Sequence, residues 1–330
     1  MSKTRVIDWN QLSRRVLDNN PVSRDEAMAI LSSEEDELLA VLDASFQIRK
    51  KYWGRGIRIH VLENAKSGMC RENCSFCSQA IGSYSGVDRY KFLSVGELVE
   101  GARNAYEKKA VKYCIVTATR GPSESEMGVV CEAVQKIKNE IPIEICTSLG
   151  LLTGDQADRL AAAGVDRFNH NLETSERFYS EICQTHTYQD RVDTIQAAKK
   201  AGMEACCGGI MGMGETHNDR VELAFALREL EIESIPVNFL DPREGTPLAD
   251  CSLMEPAECL RCLAMFRFVN PTREIRVAGG REVCLKHLQP LALYPANSLF
   301  SEGYLTTTGQ GNPEDMAMIQ EAGFYTEEMI

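Results

Sequence analysis

The sequence predicts an α/β chain folded as a (β/α)8 barrel of the TIM type with N-terminal helices, on three observations. Its 330 residues suffice for one large barrel with its own core. Eight short apolar segments recur along the chain, most of them far enough apart to hold a helix between neighbours. Two of those helices close on the same punctuation before a strand, Ala163-Gly164 and Ala201-Gly202, where glycine supplies the left-handed residue just past a helix end.

Taken in order, residues 1–52 read as a helical extension. Ser23-Arg-Asp-Glu26 and Ser32-Ser-Glu-Glu35 both fit a capping box, and Glu34-Glu35-Asp36 places negative charge where a helix start favours it. Leu38, Val41, Leu42 and Phe46 then recur at helical spacing until Gly54 stops the run. Residues 53–312 read as the barrel, with strands expected at 57–62, 112–117, 143–148, 166–171, 204–210, 235–240, 274–278 and 297–300. No linker or low-complexity stretch divides them, so one domain is expected. Residues 313–330 read as a polar, peripheral C-terminal tail.

Composition narrows the function. Lys and Arg number 36 against 48 Asp and Glu, and the resulting net charge of −12 repels phosphate backbones, so nucleic acid is excluded as a partner. No uncharged apolar run reaches the roughly 18 residues that a membrane span needs. The opening MSKTRVIDWNQLSRRVL lacks the apolar segment and cleavage site of a secretory signal, so a cytoplasmic location is expected. Thirteen cysteines in such a chain then point to metal, redox or catalytic use, because a reducing cytosol does not favour disulfides.

In a barrel of this kind the active site lies on the loops after the strands. The first such loop carries Cys70-Arg-Glu-Asn-Cys74-Ser-Phe-Cys77 behind Ser67-Gly68-Met69. Three thiolates from one short loop can hold three irons of a cubane and leave the fourth iron open to a substrate. A structural zinc site is the alternative, but it needs a fourth Cys or His, and none follows at finger spacing. Cys114, Cys146 and Cys206 fall in the second, third and fifth strands; each alone reads as a buried core cysteine, but together they meet in one barrel.

The CxxxCxxC loop, with Phe76 before its last cysteine, resembles that of the radical S-adenosylmethionine enzymes. Within that superfamily the chain from about 53 to 309 is similar to the biotin synthase family, through Cys70–Gln79, the 143–149 strand, Phe168-Asn-His-Asn-Leu-Glu-Thr-Ser175, the 187–194 helix start, Gly208-Gly-Ile-Met-Gly-Met-Gly-Glu-Thr216, Gly245-Thr-Pro-Leu248, Arg276-Val-Ala-Gly-Gly-Arg-Glu282 and Ala296-Asn-Ser298. The resemblance implies a 4Fe–4S cluster on Cys70, Cys74 and Cys77, whose open iron chelates S-adenosylmethionine. It implies an auxiliary cluster, usually 2Fe–2S, on Cys114, Cys146, Cys206 and Arg276, whose sulfide is donated to substrate. Arginine is a poor ligand by ordinary rules, so Arg276 rests on the resemblance alone. The implied reaction is radical insertion of sulfur between C6 and C9 of dethiobiotin, with two S-adenosylmethionines consumed. A homodimer and an electron donor such as flavodoxin or ferredoxin are implied with it.

Asn169, Asn171 and Glu173 alternate along the fourth strand, which puts all three on one face. Amides donate and accept, so the row suits a polar, uncharged ligand. By the resemblance Asn169 and Asn238 contact the ureido ring of dethiobiotin, and Thr306 and Thr307 its carboxylate. Asn171 and Glu173 contact the ribose of S-adenosylmethionine, Arg191 its carboxylate, and the backbone of 208–214, with Gly208, Gly209 and Met211, its adenine. Read alone, that glycine stretch passes for a dinucleotide loop, but no GxGxxG follows the first strand.

The remaining candidates are set apart. Cys259-Leu-Arg-Cys262 is a CxxC in an apolar helical stretch, Cys131, Cys183 and Cys251 have no pattern and read as structural, and His170 is expected to face away from the asparagines and pack. Cys207 and Cys284 depart from the family's pattern beside auxiliary-cluster positions, so they are candidate extra ligands of a larger, four-iron cluster, though alternation turns Cys207 away from Cys206. Two rival readings stand beside the first: another radical S-adenosylmethionine barrel enzyme, a mutase or maturase, and a non-catalytic iron–sulfur carrier.

Overall fold

The structure is a computed structural model that describes residues 7–68, 70–306 and 309–327. Three helices come first, α1 (Trp9–Leu17), α2 (Arg24–Leu31) and α3 (Leu38–Trp53). The Ser23 capping box forms as expected. The one expected at Ser32 does not: Ser32 closes α2, and Glu34 caps a short 3-10 turn into α3 by pairing with Glu37. Gly54 ends α3 at φ +56, a conformation that a side chain disfavours. These helices lie outside the barrel, α1 against α3, and α2 and α3 against the helix Pro256–Val269.

The barrel strands are β1 (Gly56–Lys66), β2 (Lys112–Thr117), β3 (Glu144–Ser148), β4 (Arg167–Asn169), β5 (Glu204–Cys206), β6 (Gly209–Met211), β7 (Ser234–Phe239), β8 (Glu274–Val277) and β9 (Ser298–Phe300). All pair in parallel, and β9 pairs with β1 to close the ring. Helices α4 (Val95–Glu107), α5 (Glu124–Glu140), α6 (Gly154–Ala163), α7 (Glu176–Ile182), α8 (Tyr188–Lys200), α9 (His217–Glu229) and α10 (Pro256–Val269) follow their strands, so the expected (β/α)8 barrel is what forms. Gly164 and Gly202 close α6 and α8 at φ +102 and +91, as the Ala-Gly punctuation predicts.

The fifth strand differs from the expected continuous segment: β5 and β6 share one barrel position, broken at Cys207-Gly208. Steric demand explains the break. A Cβ on Gly208 would sit 1.8 Å from the Pro236 carbonyl oxygen, and one on Gly209 2.3 Å from that of Glu173. The two glycines let the chain after β4 lie directly on the sheet.

The polar tail is not peripheral. After α11 (Arg281–Leu285) and α12 (Gln289–Ala292), helix α13 (Asn312–Glu321) runs into β10 (Tyr325–Thr326), which pairs with the start of β1. Phe324 packs edge-on to Phe46 and Tyr294, and the fully buried Asp315 accepts from Arg281 Nη2 at 3.0 Å. A few buried anchors hold an element whose average composition is polar.

Candidate active site

One cavity opens where β1–β4 and β7 end, and Cys70, Cys74 and Cys77 all line it. Local hydrogen bonds shape their loop: Gly68 N–H donates to Gln79 Oε1 (3.0 Å), Cys77 N–H to the Cys74 carbonyl (3.1 Å) and Ile81 N–H to that of Glu72 (2.9 Å). Gly68, at φ +71, makes the turn into it. Burial pushes the Cys77 thiol up to about 11 and raises that of Cys70. A bound cation is what converts such thiols to thiolates, and three converging sulfurs are soft donors of the kind iron–sulfur clusters take.

Cys114, Cys146 and Cys206 line the same cavity, each 3% exposed or less. Register makes them neighbours: Cys114 lies opposite Cys146 on β2 and β3, and Cys206 on β5 lies opposite Asn169 on β4. Arg276, 1% exposed on β8, brings Nη1 to 3.6 Å from Cys206 Sγ. Its Nη2 donates to Ser234 Oγ (2.8 Å) and Glu274 Oε1 (2.5 Å), while its Nε is buried without a partner.

Glu274 is the hub of a charged floor beneath these thiols. Arg58 Nη1 (3.0 Å), Arg167 Nη1 (3.3 Å), Ser234 Oγ (2.9 Å) and Ser298 Oγ (3.2 Å) donate to its carboxylate, and His60 Nε2 lies 3.2 Å away. Burial alone would raise its pKa, but Arg167, His60 and Arg276 hold it well below the usual carboxylate range. Among the described residues Arg276 has no other carboxylate partner, and it shares this one with two further arginines. Arg58 also meets Glu144 and Glu327, and Arg167 also meets Glu204, which leaves the Arg276 guanidinium as the cation set against the three sulfurs; that, with its orphaned Nε, fits an anionic iron–sulfur group held by Cys114, Cys146, Cys206 and Arg276.

Asn169, Asn171 and Glu173 all reach the cavity, but not by strand alternation. β4 ends at Asn169; Glu173 sits at φ +70, and its N–H donates to the Gly208 carbonyl at 3.0 Å. His170, expected to face away, also lines the cavity, with Nε2 unpartnered and burial driving its pKa well down. An alternation argument fails where the strand has already stopped.

Arg191 is 6% exposed. Its Nε donates to Tyr179 Oη (2.6 Å), its Nη1 to the Asn171 carbonyl (2.7 Å), and Glu173 Oε1 lies 3.6 Å from it. Asn169 Nδ2 lies 3.2 Å from Cys206 Sγ. Asn238 ties two loops together, accepting from Gly279 N–H (2.9 Å) and donating to the Gly209 carbonyl (3.1 Å), and still lines the cavity. Phe76 and Thr306 line it too, whereas Thr307 lies outside the described residues.

Two expectations change, those for Cys207 and Cys284. The Met211 side chain packs into the outer core and Ile210 faces the cavity, so Met211 offers the cavity side its backbone alone. Cys207, fully buried in that same core, does not line the cavity. Cys284 also lies in it, accepting a hydrogen bond from the free Cys259 thiol and donating to the Leu240 carbonyl (3.6 Å). Neither thiol reaches the strand set, so the extra-ligand reading is withdrawn. Sequence reasoning missed Glu274, although its position two residues before Arg276 on one strand places both on one face. It also missed Cys183, which no local pattern marks.

The chain matches the Radical SAM superfamily over residues 66–227 and the Biotin and Thiamin Synthesis associated domain over residues 236–325. It is 55% identical over 316 residues to the biotin synthase of Salinibacter ruber, spanning 96% of this chain and 88% of that protein. Identity to the biotin synthase of Bacillus licheniformis is 48% over 319 residues, 97% of this chain and 96% of that protein. Among solved structures, methylornithine synthase superposes with a TM-score of 0.84 at 18% identity, covering 96% of this chain and 97% of its own. The FeFe-hydrogenase maturase of Carboxydothermus hydrogenoformans gives 0.82 at 15%, covering 98% and 80%. These two likenesses speak to the fold alone.

Proposed function

The chain belongs to the biotin synthase family, and from that premise we propose how its residues divide the work of a radical sulfurtransferase that converts dethiobiotin to biotin. The observation that carries the proposal is the opening of both thiol sets on one cavity, with the charged floor beneath the second. When bound, the 4Fe–4S cluster and S-adenosylmethionine supply one-electron cleavage of the sulfonium bond to a carbon radical, and the auxiliary cluster supplies sulfide for insertion between C6 and C9. Cys70, Cys74 and Cys77 hold the first cluster; Cys114, Cys146, Cys206 and Arg276 hold the second, a two-iron type that needs no fifth protein ligand.

Arg191 presents a planar fork for the methionine carboxylate, kept in place by Tyr179, Asn171 and Glu173. Asn171 and Glu173 meet the ribose, the backbone of Gly208, Gly209 and Met211 the adenine, and Phe76 the cofactor beside the loop. Asn169 and Asn238 meet the ureido ring; Asn238 keeps one amide hydrogen and one lone pair beyond its loop contacts. Thr306 and Thr307 receive the carboxylate of dethiobiotin. Phe239, Leu240 and Phe300 give the cavity apolar wall that excludes water from a radical.

A cytoplasmic homodimer reduced by a flavodoxin or ferredoxin completes the reading. Thirteen cysteines in one chain, read as metal and redox ligands, suit a reducing compartment, and no helix among the described residues is long and apolar enough to cross a membrane. The test is anaerobic: protein reconstituted with iron and sulfide, given dethiobiotin, S-adenosylmethionine and a reductant, should yield biotin with about two 5′-deoxyadenosines apiece by mass spectrometry. Deoxyadenosine without biotin overturns the substrate. Neither product from fully loaded protein overturns the enzyme in favour of a carrier.

A further inference from the structure

 

Cys183, at the end of α7, belongs to none of the motifs read from the sequence, and packing alone brings it to the cluster loop. Ser75 N–H donates to the Ile182 carbonyl at 2.9 Å, so the loop and the end of α7 are joined backbone to backbone. Cys183 Sγ then sits 3.7 Å from Cys74 Sγ, and His186 Nδ1 lies 3.3 Å from Cys183 Sγ. Glu72 Oε2 lies 2.6 Å from the same imidazole nitrogen. Cys183 does not line the cavity, whereas Cys74 does, so the pair sits with one sulfur on the cavity wall and the other behind it.

We propose that Cys74 and Cys183 form a reversible disulfide in the cluster-free protein, a modification site that protects Cys74 from peroxide and withholds it from cluster loading until a thiol reduces it. The inference rests on the assignment of Cys74 to the 4Fe–4S cluster. Cys74, Cys183 and His186 lie close enough to hold a metal ion, but the imidazole nitrogen facing Cys183 already hydrogen-bonds a carboxylate, which favours thiol chemistry over coordination. A disulfide requires the sulfurs to approach by roughly 1.7 Å. With Nδ1–H held by Glu72, His186 Nε2, 3.9 Å from Cys183 Sγ, accepts the Cys183 proton, and the sulfur attacks hydrogen peroxide; the O–O bond breaks, the leaving hydroxide takes the proton from His186 and departs as water, and a sulfenic acid remains. The Cys74 sulfur then displaces the hydroxyl, the S–S bond forms, the S–O bond breaks, and a second water leaves. Two thiols and one peroxide thus give one disulfide and two waters.

The experiment uses the full cluster-free chain exposed to hydrogen peroxide, alkylated, and mapped by mass spectrometry without reduction. The expected product is a peptide pair linked through Cys74 and Cys183. Iron and sulfide uptake without added thiol should fall severalfold and return to the untreated level after thiol reduction. In Cys183→Ser the same exposure should leave uptake that thiol no longer restores, because an unpartnered Cys74 proceeds to sulfinic and sulfonic acids. A pair linked through Cys70 and Cys77 instead, or equal recovery in wild type and variant, overturns the proposal. If the expected pair forms but the never-oxidised, reduced protein takes up no iron and sulfide, the cluster assignment fails while the disulfide stands.

Discussion

The two thiol sets face one cavity but are built in opposite ways. Cys70, Cys74 and Cys77 come from one irregular loop, and Cys70 and Cys77 remain partly exposed. Cys114, Cys146 and Cys206 come from three strands, are fully buried, and rest on a network of ions centred on Glu274. The loop set belongs to no strand, so a change at one of its thiols leaves the pairing of the barrel untouched. The strand set cannot, because its positions are the register of the sheet itself. Removing a group from the loop should therefore cost chemistry, and removing one from the floor should cost the fold.

The sharpest break of that contrast is Glu274→Gln. It leaves Arg58, Arg167 and Arg276 without the carboxylate they share, and removing one partner of a buried ion network costs about 3–5 kcal/mol. The expected result is a large drop in the urea midpoint of cluster-free protein. A midpoint equal to wild type would mean that the floor carries no structural load and the contrast fails.

Acid should erode the same difference. Glu274 titrates well below its usual 4.5 in the fold, so its ionised form stabilises the native state above that value and the contribution is lost as pH falls through the lower folded value. The gap between wild type and Glu274→Gln should be full at neutral pH and narrow only below about pH 4.5. Urea unfolding of both proteins across that range checks it; a gap that widens toward acid reverses the sign and rejects the assignment.

How much of this was legible in the sequence follows from the same contrast. The loop set is local, so spacing alone exposes it. The strand set depends on register between residues as far apart as Cys114 and Cys206, which no local pattern contains; the strand reading brought the three thiols to one barrel, and only the family resemblance made them, with Arg276, a ligand set. The barrel emerged from periodicity, but the break at Gly208 did not, because it arises from the Pro236 carbonyl on a different strand. The tail misled for a related reason: Ile319, Phe324 and Asp315 anchor it, and three buried residues do not alter a polar average. Cys207 and His170 each lie one residue past a strand end; alternation correctly turns the first into the outer core and fails for the second, so the rule does not decide a position once the strand has stopped.

The smallest expected effect on stability is the most informative about the loop. Cys70 is half-buried, its backbone belongs to no strand or helix, and no ion network depends on its sulfur. Cys70→Ser keeps the shape and removes one soft donor, so the urea midpoint of cluster-free protein should stay within about 0.5 kcal/mol of wild type. After reconstitution the variant should lose the iron of the loop cluster, about four per chain, while retaining that of the strand set. Iron analysis beside the midpoint separates the outcomes: loss of both clusters would show that the strand set depends on the loop, and the two halves of the cavity would then be one structural unit instead of two.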